Sequence, residues 1–277
     1  MLDTLTFGFL GGGNMATALI GGLIARGVPA GSIRVVDPFP EAQQRLARDL
    51  GVHAAGAPDA AFGACDVLVL AVKPQQFREA AAQLLPHLPA GDGNLVISVA
   101  AGIRLQDMQR WLGGRNRVVR AMPNTPALAG MGMTGLAAPA GLSSGDRDVA
   151  SAVAQAVGKC VWVEDDGQID AVTAISGSGP AYVFYFIEAM QRAATELGLS
   201  AEQGRELAVE TFRGAAALAG QSTEPVSTLR ERVTSKGGTT YAALTAMDAA
   251  GIGDAFVRAM HAAAARGEEM GAEFGKD

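Results

Sequence analysis

The sequence predicts a chain in two parts, a parallel α/β half through residue 164 and an all-α half over 165–277. Three observations predict it. A glycine-rich turn, Gly11-Gly12-Gly13-Asn14-Met15-Ala16, follows a short apolar run near the start. Apolar runs of strand length then alternate with helical patterns as far as Glu164. Beyond Glu164 the strand signals stop, and a helical pattern broken by Gly and Pro takes over.

The elements follow in order. Thr4 to Leu10 suits a buried strand and runs into a G-x-G-x-x-A turn. In that pattern Gly11 permits the tight turn, Gly13 lets a pyrophosphate approach the backbone, and Ala16 lets the next helix pack closely. Gly12, Asn14 and Met15 complete the turn and open a helix whose free N–H groups and dipole favour an anion. A second strand, Ser32 to Val36, ends at Asp37, 21 residues after Ala16, near the spacing of a ribose-binding carboxylate. Strand, turn, helix, strand and acid in that order carry far more weight than the glycines alone. They predict a Rossmann-like dinucleotide-binding domain over 1–164.

Asp66 to Val72 is apolar throughout, as a strand covered on both faces should be. It ends in Ala71-Val72-Lys73-Pro74, before a helix over 75–85. Further strands over 95–99 and 117–120 end in Ala100-Ala101-Gly102 and Met122-Pro123-Asn124-Thr125-Pro126. Ligands of open α/β sheets bind at the carboxyl ends of strands, so these three segments are candidates to line the dinucleotide cleft. A strand over 132–138, a helix over 144–157 and a closing strand over 160–163 complete this half.

The back half reads as helices over 180–197, 201–219, 225–233, 241–249 and 254–270. Pro180 fits a first turn, where its missing N–H is no loss. Ala181 to Ile187 is apolar on every side, whereas a surface helix shows one apolar stripe. That predicts burial against a second copy of the chain. The segment Ser235-Lys236-Gly237-Gly238-Thr239-Thr240 joins two of these helices. Its glycines admit a close ligand and its hydroxyls and free N–H groups suit a small carboxylate. A plain helix-start cap is the alternative.

Composition removes other functions. The 277 residues carry a net charge of −6, which gives no basic face for nucleic acid. Cys65 and Cys160 lie far apart, each at the edge of an apolar run, and read as buried free thiols. His53, His87 and His261 are isolated, so no metal site is expected. No apolar stretch of membrane-spanning length and no leader pattern is seen, and a cytoplasmic location is expected.

Read together, Gly11-x-Gly13-x-x-Ala16, Ala71-Val72-Lys73-Pro74, Met122-Pro123-Asn124-Thr125-Pro126, Gly177-Ser178-Gly179-Pro180-Ala181-Tyr182 and Val233-Thr234-Ser235-Lys236-Gly237-Gly238-Thr239-Thr240 resemble the pyrroline-5-carboxylate reductase family over nearly the whole chain. The resemblance implies reduction of the C=N bond of 1-pyrroline-5-carboxylate to L-proline by NADP- or NAD-linked hydride. It also implies an interlocked homodimer, in many members assembled into a ring of dimers, and a dimerisation and substrate-binding role for 165–277. Gly238, Thr239 and Thr240 are expected to bind the carboxylate, with Val233, Gly237 and Ser178 beside it. Thr240 is the candidate for the ring nitrogen, and Glu224 a weaker one for favouring the iminium. Two departures stand out: Lys236 replaces the usual proline, and Ala243 a common glycine. Asp37 argues for NADH, because a carboxylate there accepts from a ribose diol and repels a 2′-phosphate. A β-hydroxyacid dehydrogenase is the nearest alternative enzyme, but it needs a helix-borne lysine that the back half lacks. A dinucleotide-binding sensor without turnover is the alternative outside catalysis.

Overall fold

The computed structural model describes residues 2–276. Eight strands form one sheet: β1 (Phe7–Leu10), β2 (Ile33–Val36), β3 (His53–Ala55), β4 (Val67–Leu70), β5 (Leu95–Ser98), β6 (Val118–Met122), β7 (Gly132–Ala137) and β8 (Gly158–Trp162). Their order is β3-β2-β1-β4-β5-β6-β7-β8. Strands β3 through β6 are parallel, so their carboxyl ends share one edge. β7 runs antiparallel to β6, and β8 is parallel to β7. The chain leaves β1 toward β2 and β3, then returns to β4 on the other side. Such a reversal of strand order opens a crevice at the carboxyl ends.

Helices α1 (Asn14–Ala25), α2 (Pro40–Leu50), α3 (Ala60–Gly63), α4 (Phe77–Leu84), α5 (Leu105–Trp111) and α6 (Ser144–Gln155) connect the strands. The sheet separates two apolar clusters. Phe7, Phe9, Val35, Val69 and Ile97 face Leu19, Ile20 and Leu23 of α1 and Val153 of α6. Leu10, Leu68, Leu70 and Val96 face Phe77 and Leu84 of α4 and Met108 of α5. Alternate residues of each strand feed opposite clusters, which is why β1 and β4 are apolar and buried throughout.

The remaining helices are α7 (Gln168–Val172), α8 (Gly179–Glu196), α9 (Ala201–Gln221), α10 (Val226–Arg232), α11 (Thr239–Ala249) and α12 (Ile252–Phe274). The chain divides into a sheet unit, residues 1–178 with 263–277, and a helical unit, residues 179–262. The division expected at 164/165 therefore differs from the compact units. Ile169 and Ala174 are buried in the sheet unit. Arg120 on β6, only 2 % exposed, donates to Asp166 Oδ1 at 2.8 Å and pairs with Asp170 at 3.3 Å. A buried guanidinium needs such partners, and these two carboxylates tie 166–170 to β6.

Within the helical unit α8 packs on α9. A Cβ on Gly204 would lie 2.8 Å from Ala194 Cβ, so glycine sets the close approach of the two helices. A capping box between Ser200 and Gln203 starts α9. Tyr182 and Phe186 of α8 each lie 5.8 Å from the Phe256 ring of α12. Yet only Gly204, Ala208 and Met260 are buried among the described residues of this unit. In the single chain α8 buries none of its residues, and Phe184 and Tyr185 stand 59 % and 69 % exposed. Among the described residues no helix is long and apolar enough to cross a membrane. Cys65 is buried, which pushes its thiol pKa up, but Cys160 is only half-buried.

Candidate active site

The glycine turn sits at the reversal of strand order. Gly11 has φ of +100°, a region that side chains disfavour, and an added Cβ would lie 2.7 Å from the Ala71 carbonyl oxygen. Gly11 N–H donates to Val36 O, and Ala71 N–H donates to Leu10 O, both at 2.7 Å. The turn is thus locked between β2 and the Ala71-Val72 end of β4. Gly13, the N-cap of α1, is different: it is exposed, and a Cβ there would meet nothing within 4 Å. It borders open space at a helix start that no side chain caps, and Asn14 and Met15 open that helix.

Asp37 follows β2 and is buried. Its Oδ2 accepts from Gly12 N–H at 2.8 Å and its Oδ1 from Phe39 N–H at 3.0 Å. Each carboxylate oxygen keeps a second acceptor position. Arg45 of α2 donates to Gly12 O at 2.9 Å and to Thr17 Oγ1 at 3.3 Å. Sequence reasoning misses this helix. Its signals are present, Pro40 at the first position and Gly51 at φ of +70° after the end, and they would have put Arg45 on the turn beside Gly12.

The other strand ends divide. Lys73 is exposed and Val72 and Pro74 are half-buried at the end of β4, next to the glycine turn. Ala100 and Gly102 follow β5 but are buried. Gly102 has φ of +74°, and a Cβ there would press on the Phe274 ring at 3.0 Å, so its glycine has a packing reason. Pro123 is buried after β6. Asn124 donates from Nδ2 to Ser176 O and Oγ at 3.1 and 3.2 Å and accepts from Met133 N–H at 2.9 Å. Its side chain holds the loop after β6 to a single π-helical turn, Thr173–Gly177. Such turns are rare and concentrate at functional sites, and sequence periodicity gives no warning of them.

Ser178 directly precedes α8, and its own N–H closes the π-turn by donating to Thr173 O at 2.8 Å. Glu224, too, is engaged, accepting from both terminal nitrogens of Arg232 at 2.5 and 2.6 Å.

The glycine–threonine segment belongs to the helical unit. Val233 ends α10, and Val233, Thr239 and Thr240 are exposed. Gly238 N–H donates to Ser235 O at 2.9 Å, and Gly237 has φ of +78°. This is a type II turn with Lys236 at its second position, where proline is favoured, and glycine required at the third. Gly238 is the N-cap of α11, and Thr239 and Thr240 are its first two residues. No side chain caps this helix. The segment is therefore a helix start with glycine as its cap, as the capping alternative holds, and no side-chain oxygen occupies the first amides of α11.

Comparison with known proteins decides the family. A family model described as pyrroline-5-carboxylate reductase dimerisation matches residues 166–270. A second, described as NADP oxidoreductase coenzyme F420-dependent, matches residues 6–102. A pyrroline-5-carboxylate reductase of Pseudomonas aeruginosa is 42 % identical, with 99 % of this chain and all of that protein covered. The chain belongs to the pyrroline-5-carboxylate reductase family. One from Haemophilus influenzae is 43 % identical over 95 % of this chain and 96 % of its own. Among solved structures, the family's protein from Coxiella burnetii superposes with a TM-score of 0.91 at 38 % identity, covering 97 % of this chain and 99 % of that one. A Plasmodium falciparum pyrroline carboxylate reductase with NADP bound gives 0.85 at 26 % identity, covering 98 % and 100 %. The fold expected from the sequence, a Rossmann-like sheet and a helical dimerisation part, is that of the family. The protein is an NAD(P)-dependent oxidoreductase.

Proposed function

We propose that the protein reduces 1-pyrroline-5-carboxylate to L-proline with NADH or NADPH, the last step of proline biosynthesis. Bound NADH or NADPH would supply a hydride to the imine carbon, the C=N π electrons passing to nitrogen and a proton completing the amine. A protonated cyclic imine is already electrophilic, so the protein's task is positioning and charge stabilisation. The observation that carries this reading is the start of α11, which no side chain caps, with two free threonine hydroxyls behind a glycine turn.

In this reading Gly237, Gly238 and Thr239 receive the substrate carboxylate, with Val233 and Ser178 beside it. Thr240 hydrogen-bonds the ring nitrogen. Gly11, Gly12, Gly13, Asn14 and Met15 take the pyrophosphate, Asp37 the adenosine ribose, and Ala71 to Pro74 with Pro123 the nicotinamide side. Ala100, Gly102 and Asn124 support that wall by packing and by holding its loops. Residues 165–277 form the dimerisation and substrate part, and the exposed apolar face of α8 meets its counterpart in a second copy. An interlocked dimer, and a ring of such dimers, is the finer arrangement we infer. Substrate and coenzyme are small soluble molecules, and we place the protein in the cytoplasm.

One proline formed per dinucleotide oxidised tests the reaction. Thr240→Val should lower kcat/KM for the imine by about ten- to a hundredfold, the effect of losing a hydrogen bond to a charged group, while the KM for dinucleotide holds. Full turnover and substrate affinity in that variant would remove Thr240 from its role. With Asp37 on the ribose diol, kcat/KM should be at least as high with NADH as with NADPH. A much higher value with NADPH would overturn that assignment.

A further inference from the structure

Phe39 is a large apolar side chain left 66 % exposed, two residues beyond Asp37. A lone exposed phenylalanine is ordinary. This one is held unusually firmly. Pro38 and Pro40 flank it, and each proline fixes its own φ. Pro40 also confines Phe39 to extended backbone, which it adopts with φ of −93° and ψ of 115°. Its N–H donates to Asp37 Oδ1, and its carbonyl accepts from Ala42 and Gln43 N–H at 3.0 and 3.2 Å. The backbone is therefore fixed at both ends, while the ring belongs to neither core cluster. Among the described residues it makes no ring–ring or cation contact.

We propose that Phe39 is the stacking platform for the adenine base of the dinucleotide, an inference that rests on the reading of Asp37 as the ribose acceptor. The base is bonded to the same ribose that Asp37 would hold, and the Phe39 amide is tied to the Asp37 carboxylate. One short segment thus fixes a polar group for the sugar and an aromatic face for the base. Every base offers a π-face, so an aromatic ring supplies affinity without adding a charge or a hydrogen-bond requirement. Because the backbone that carries the ring is already fixed, binding loses little further freedom. The role differs from that of Asp37: Phe39 serves the adenine common to NADH and NADPH, and Asp37 distinguishes them at the 2′ position.

The test uses ADP-ribose, which keeps the adenosine end and lacks only the nicotinamide, and reduced nicotinamide mononucleotide, which lacks the adenosine. In calorimetric titration Phe39→Ala should weaken ADP-ribose binding about tenfold, as alanine at a base-stacking aromatic does, and Phe39→Tyr should restore it. In the imine assay the alanine variant should show a raised KM for both NADH and NADPH with kcat kept. Turnover of reduced nicotinamide mononucleotide should match that of the parent. The proposal is overturned if the alanine variant binds ADP-ribose as tightly as the parent. It is equally overturned if its turnover of the mononucleotide falls in step with that of NADH, or if the parent does not bind ADP-ribose. If the variant weakens ADP-ribose binding but the parent oxidises no dinucleotide with the imine, the proposed reaction fails and the platform stands.

Discussion

The two units solve the same physical problem differently. The sheet unit closes two apolar clusters over the faces of a sheet that its own helices cover. The helical unit leaves Phe184, Tyr185, Leu207, Leu218, Met247 and Val257 exposed and, among the described residues, buries three. Helices need an apolar partner to be stable in water, and a unit without a core must find one in another chain. A dinucleotide fold is thus complete in one copy, while the helical unit, matched to a dimerisation family model, leaves its apolar surface for association. The same contrast marks the two glycine turns. The Gly11 turn is clamped by Val36, Ala71 and Asp37, whereas the Ser235–Gly238 turn is closed by one backbone hydrogen bond of its own.

The largest effect should come from breaking the helical unit's association. Phe184→Glu puts a charge on the exposed face of α8. It should abolish the dimer at micromolar concentration and with it turnover, while dinucleotide binding persists. Sedimentation and fluorescence titration read these two properties separately. A dimeric, fully active variant would show that α8 is not the interface.

Much of this contrast is legible in the chain. The apolar run into Gly11, the spacing to Asp37 and the strand ends at Lys73 and Asn124 all follow from periodicity and turn chemistry. The all-round apolar character of 181–187 likewise marks a helix that one copy cannot bury. Other features leave no local trace. β3 is three residues at the sheet edge, and its His53 and two alanines do not read as a strand. The π-turn at Thr173–Gly177 looks like ordinary helix, and nothing local shows that it engages the Ser178 amide. Gly102 reads as a ligand contact because it follows a strand, and nothing local shows that Phe274, far off in sequence, packs on it. Ile169 and the Arg120 ion pairs carry the compact sheet unit on to 178, a packing that no strand or turn signal near 165 records.

Next in size is the clamped turn. Gly11→Ala must move the Ala71 carbonyl or the turn itself, and it forces a positive φ on alanine. We expect at least a tenfold loss of NADH affinity and about 1–3 kcal/mol of stability, read by titration and thermal melts. An unchanged Kd would separate the turn from the cofactor.

The smallest effect should be in the other loop. Lys236 occupies the second position of a type II turn, where proline is pre-set. Lys236→Pro should raise stability by about 0.4–1 kcal/mol and leave kcat/KM for the imine unchanged. A fall in kcat/KM would give the lysine ammonium a place in substrate binding.

The most direct measurement is oxidation of NADH by the intact protein with and without 1-pyrroline-5-carboxylate. Oxidation should depend on the imine and yield proline. Tight NADH binding with no imine-dependent oxidation would contradict the proposed reaction, leaving a dinucleotide fold whose free threonines at α11 serve another ligand.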